Sequence, residues 1–155
     1  MSNIVEKYCD FREQLNKFDA VAFVPKGNSM YPFIRNKAQT VFISKKVGKL
    51  TPFDIAMFER ENGAVVLHRV LEVQGEKYLF CGDSQFYFEW VNEDKVVGVL
   101  TAFQKGKKIV LFTDKHRKKA EKWYKYKTWR KIRTKFYFFR INAKAKIKRI
   151  FNREG

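Results

Sequence analysis

A serine, a histidine and a few carboxylates are the side chains of this sequence whose types and spacing could do chemistry. Ser29 lies in Gly27-Asn28-Ser29-Met30-Tyr31-Pro32, where a glycine before and a proline after hold a hydroxyl on a stiff corner. Such a hydroxyl is inert at its own pKa and becomes a nucleophile only beside a base. His68, in Leu67-His68-Arg69-Val70, is the candidate base, because the only other histidine, His116, falls in a basic C-terminal stretch. Asp83, in Cys81-Gly82-Asp83, is the candidate acid that would fix the imidazole tautomer and stabilise the imidazolium. Taken singly, each has a plainer reading: a loop serine, a satisfied core histidine, a turn aspartate. Cys9 and Cys81 suit neither a disulfide framework nor a zinc site and read as free thiols of a reducing compartment. No metal and no cofactor is implied.

The elements that must position these groups follow from periodicity. Residues 2–18 carry Ile4, Val5, Tyr8, Phe11, Leu15 and Phe18 at spacings of three and four, with Ser2 as N-cap, which predicts a short amphipathic helix. Short β-branched and aromatic runs then predict strands at Ala20–Val24, Thr40–Ile43, Ile55–Glu59, Ala64–Val73, Tyr78–Cys81, Val96–Phe103 and Ile109–Phe112. Asn62-Gly63 and Gln74-Gly75 read as hairpin turns. Alternation in the Ala64–Val73 run puts Ala64, Val66, His68 and Val70 on one face, with Val65, Leu67, Arg69 and Leu71 on the other. The expected fold is mainly β: a partly closed antiparallel β domain over 1–113 with a short N-terminal helix, followed over 114–155 by a basic amphipathic helical tail.

Charge divides the chain at the same place. Residues 1–100 hold 13 Lys/Arg and 13 Asp/Glu. Residues 101–155 hold 20 Lys/Arg against Asp114, Glu121 and Glu154, which is the whole net charge of +17. In the tail Trp129, Ile132, Phe136, Phe139, Ala143, Ile147 and Ile150 share one helical stripe. This pattern suits the interface of an anionic membrane, with Trp123, Trp129, Arg130, Arg133, Phe136, Phe139 and Arg140 as the contacting residues. It also allows binding to nucleic-acid phosphates or packing on the chain's own domain. There is no apolar h-region in Met1 to Phe18 and no run approaching the ~20 apolar residues of a spanning helix. A cytoplasmic protein, peripheral to the membrane, is the expectation.

Several boxes occur in a telling order. Gly-x-Ser-Met-x-Pro is followed by Asp54-Ile55-Ala56-Met57-Phe58, Leu-His-Arg-Val, Gly-Asp and Val97-Gly98-Val99-Leu100. Over roughly residues 20–104 this order resembles the S24/S26 peptidases, which include type I signal peptidases and self-cleaving repressors. The resemblance implies a serine peptidase with Ser29 as nucleophile and His68 as base. It also points to the histidine branch of the family, because bacterial signal peptidases and repressors carry lysine at the position of His68. Three departures accompany it. Gly27 stands where the family often has a serine that helps hold the oxyanion, leaving Asn28 or a backbone N–H to substitute. Glu89 stands where the histidine branch often has a second aspartate, so Glu89 is an alternative to Asp83 as the orienting acid. A Gly-Asp usual after the nucleophile box is replaced around Lys37-Ala38-Gln39.

The resulting expectation is cleavage of a signal- or leader-type peptide at the cytoplasmic membrane surface. The peptide would lie extended along a β edge beside Gly27, Asn28, Met30 and Pro32. Two other readings stand beside it: a peptide-binding module of the same fold with weak or no turnover, and a nucleic-acid-binding protein acting through its tail.

Overall fold

The structure, a computed structural model, describes residues 11–35 and 39–151, the side chains of 147–151 excepted. The readings of Ser2, Ile4, Val5, Tyr8 and Cys9, of Lys37-Ala38, and of the Ile147 and Ile150 side chains fall outside the described residues. Helix α1 is Phe11–Lys17, and its buried Leu15 joins the core.

Eight strands follow: β1 Ala20–Phe23, β2 Val41–Ser44, β3 Ile55–Glu59, β4 Val65–Gln74, β5 Lys77–Cys81, β6 Glu89–Asn92, β7 Val96–Lys105 and β8 Lys108–Leu111. All pairings are antiparallel, in the order β1-β2-β7-β3-β4-β5-β6, with β8 also on β7. Among the described residues no ladder joins β1 to β6, so the sheet stays open. Bulges in the β2–β7, β3–β7 and β4–β5 ladders bend it. The β4–β5 hairpin turns on Gly75, at φ 58°.

The alternation expected in β4 sorts its side chains between two cores. Leu67 packs with Leu15, Met30, Ile34, Ile43 and Met57 on one face. Val66 and Val70 pack with Ala56, Phe58, Tyr78 and Phe80 on the other. The alternation breaks after Val70. A bulge between Val70 and Glu72 shifts the register, so Val73 returns to the face of Val70.

β6 has no counterpart among the expected strands. It is four residues long, it starts on Glu89, and its burial alternates only between partial and none, so it carries little apolar signal. As an edge strand it needs only one partner. That partner is β5, with Phe80 opposite Glu89.

The tail is two helices rather than one: α2 Asp114–Lys125 and α3 Lys127–Phe151. Thr113 and His116 form a reciprocal cap at the start of α2. The break falls at Tyr126, at φ −92° and ψ 65°, although no glycine or proline is present. Tertiary contacts account for it, since Trp123 and Tyr124 of α2 and Arg130 of α3 all bond residues 81–85. The tail is therefore not a separate appendage. Among the described residues no helix is long and apolar enough to cross a membrane.

Candidate active site

Four neighbouring strands bring one face of the site together. His68 on β4 stands beside Phe58 of β3, with ring centroids 6.1 Å apart. Phe80 on β5 pairs with Glu89 on β6, and cross-strand partners share a face. The His68 ring is buried, and its Nδ1 lies 3.3 Å from Glu89 Oε1. Nδ1 makes no well-formed hydrogen bond, so the contact is electrostatic. Burial lowers the His68 pKa, while the charge of Glu89 pulls it back up. Glu89 is itself held by Arg60, whose Nε and Nη2 donate to its two oxygens at 2.8 and 2.6 Å. With Nδ1 turned to the acid, Nε2 is the imidazole nitrogen left for a substrate or nucleophile.

Asp83 is not where the sequence placed it. Its carboxylate accepts from Arg69 Nε at 2.7 Å and Nη2 at 2.8 Å, and both residues are fully buried. Alternation explains the difference, because Arg69 points to the face opposite His68. Both acids are held by a bidentate guanidinium, Asp83 by Arg69 and Glu89 by Arg60, and Glu89 is the carboxylate whose oxygen stands beside the imidazole. Arg69 also donates to the Phe53 carbonyl at 2.8 Å and lies 4.8 Å from the Phe33 ring centroid. The buried pair thus ties the loop after β5 to the loop that carries Ser29.

That loop is fixed through its backbone. The Ser29 carbonyl accepts from the Ser84 N–H at 2.8 Å and its hydroxyl at 3.1 Å, and the same hydroxyl donates to the Asn28 carbonyl at 2.8 Å. Gly82 permits the approach, since a Cβ there would stand 2.8 Å from the Ser29 oxygen. The Ser29 backbone and β4 both meet the C-terminal end of β5: the Ser29 carbonyl bonds Ser84 just beyond it, and Arg69, the neighbour of His68, is the partner of Cys81. No hydrogen bond among the described residues joins the Ser29 hydroxyl to His68, and none is donated by the Ser29 N–H. Gly27 sits at φ 105° with open space around it. Backbone conformation, not crowding, is what demands glycine there.

Other expected site residues lie differently. Met30 is buried in the core and faces no substrate. The peptide bond before Pro32 is cis. The Asn28 side-chain oxygen accepts from the Tyr137 hydroxyl at 3.0 Å, and the Tyr31 and Tyr137 rings stack with centroids 3.5 Å apart. Trp123 and Arg130, expected to face a membrane, point inward. Trp123 Nε1 donates to the Asp83 carbonyl at 2.8 Å. Arg130, 2% exposed, donates to the carbonyls of Asp83, Gly82 and Gln85. Sequence reasoning missed Ser84, Arg69, Arg130 and Tyr137 as positioning residues. Only Arg69 carried a signal, as a guanidinium in an apolar strand that required a buried acid. Cys81 is buried, and desolvation pushes its thiol pKa up, which leaves it a poor nucleophile. Among the described residues no cluster of His, Cys, Asp or Glu could hold a metal ion. No family model and no curated protein matches the chain.

Proposed function

We infer that the chain is a serine peptidase of the S24/S26 type acting on an extended signal- or leader-type peptide. The observation that carries this reading is the buried His68, its Nδ1 facing Glu89, at the strand end where the backbone of Ser29 is fastened. His68 would take the Ser29 proton through Nε2 and return it to the leaving amine. Glu89 would stabilise the imidazolium. The Ser29 N–H, uncommitted among the described residues, is the oxyanion donor in this scheme, while Gly27, at a positive φ that favours glycine, has no hydroxyl to share that task as the family's serine does. Catalytic hydrogen bonds often tighten only with substrate bound, so engagement of Ser29 with His68 belongs to the complex.

A panel of leader peptides with small residues before the scissile bond tests the reading. Product must form with the wild-type chain and vanish with Ser29→Ala. Cleavage that persists without the hydroxyl refutes the mechanism. A second reading, peptide binding without turnover, is favoured by the unengaged Ser29 hydroxyl and by the stacking of Tyr137 over the loop. Peptide binding by the wild type with no product at any pH would select it.

A further inference from the structure

Helix α3 has two unlike apolar sides. Its inner side is committed to the β domain through buried Arg130 and Thr134 and through Tyr137 on the Ser29 loop. Trp129, Ile132, Phe136 and Phe139 follow at spacings of three, four and three, which aligns them on one stripe of the helix. They are 58, 54, 61 and 70% exposed and lie roughly opposite the docked side. Single exposed aromatics are ordinary, but four large apolar side chains in a row form a patch that marks an interaction surface. Its borders are basic: exposed Lys131 and Lys135 run along one side, exposed Arg133 and Arg140 along the other. The whole helix has ten Lys/Arg and no Asp or Glu.

We propose that this outer face of α3 docks in the plane of an anionic lipid surface. The charge pattern selects the occupant: an apolar stripe between two cationic borders matches acyl chains beneath a layer of phosphates. Trp129 takes the headgroup level, and Phe136 and Phe139 enter below it. The stripe offers no side-chain donor or acceptor beyond the Trp129 N–H, so it has little with which to read a nucleic-acid base. Trp123 and Arg130 take no part, because the fold uses both internally. Docking in this way sets the Ser29 loop about one helix diameter, ~10–12 Å, from the lipid surface. A peptide cut there is a membrane-proximal segment. That last step rests on the peptidase reading; the docking itself does not.

The test is sedimentation of the full chain with phosphatidylcholine vesicles, with and without phosphatidylglycerol, at low and at physiological salt. The wild type should pellet with the anionic vesicles and not with phosphatidylcholine alone. Phe136→Ser/Phe139→Ser should lower partitioning about tenfold or more, given the transfer free energy of two phenyl groups. Both residues are exposed, so an unchanged thermal transition verifies the fold. No pelleting, or equal pelleting by the double variant, overturns the proposal. Tighter binding of single-stranded RNA that competes with the vesicles and needs the same phenylalanines also overturns it. Because no substrate enters the assay, its outcome is independent of whether Ser29 is catalytic.

Discussion

The role of each acid is set by which face of a strand its partner occupies. His68 and Arg69 are adjacent in the chain yet address different carboxylates, Glu89 and Asp83, because successive β side chains point to opposite faces. Asp83→Asn should therefore act on stability, leaving Arg69 buried without its counter-charge. A loss of about 3–5 kcal/mol is expected from urea denaturation. An Asp83→Asn chain as stable as wild type but inactive would return Asp83 to the catalytic group. Glu89→Gln should instead lower kcat/KM roughly 10²- to 10⁴-fold. It also removes the charge that raises the His68 pKa, so the acid limb of the pH profile should move to lower pH. Burial already holds His68 below its ordinary 6.5 in the folded chain. The unfolded chain therefore takes the proton first, and the stability His68 contributes is complete above about pH 6.5 and lost as pH falls through the depressed value. Urea midpoints measured downward from neutral pH should fall in the wild type and fall less in His68→Gln. The sequence named Ser29 and His68 as candidates, and Glu89 only as an alternative to Asp83. Which carboxylate stands beside the histidine was not legible, since Gly-Asp reads the same whether the carboxylate meets an imidazole or a guanidinium.

At the scale of elements, the strands with β-branched and aromatic runs were legible, and β6 was not. Glu89-Trp90-Val91-Asn92 has neither a sustained apolar run nor a buried face, and among the described residues β5 is its one strand partner. The same holds for the tail, whose helical period was clear while its break at Tyr126 was not. Long-range bonds from Trp123, Tyr124 and Arg130 to residues 81–85 outweigh local helix propensity there. Arg130 is the pin that holds α3 down. Arg130→Ala should raise hydrogen exchange in 127–146 and in the Ser29 loop together, because Tyr137 links them. Protection unchanged in the loop would show that α3 and the loop are uncoupled. Tyr137→Ala gives the finer test: loss of the stacked ring should change peptide affinity while leaving the core strands protected.

For the whole molecule, charge and aromatic content now have locations. The excess of +17 lies in the C-terminal stretch that the β domain uses twice, once as a brace over the loops and once as an outward apolar and basic face. That division could not be read from a helical stripe alone, because both sides of α3 carry aromatics. A molecule so arranged presents its candidate nucleophile beside a surface fit for lipid. In the proposed reaction Ser29 becomes an acyl carrier through His68. The direct measurement is intact-mass spectrometry of the chain mixed with an activated ester of a leader-type peptide. Attack of the Ser29 oxygen on the ester carbonyl would expel the alcohol and leave the peptidyl acyl group on the protein. A single adduct is expected, mapped to Ser29, absent from Ser29→Ala and much reduced in His68→Ala. An adduct of equal size in either variant, or none in the wild type, contradicts that reaction.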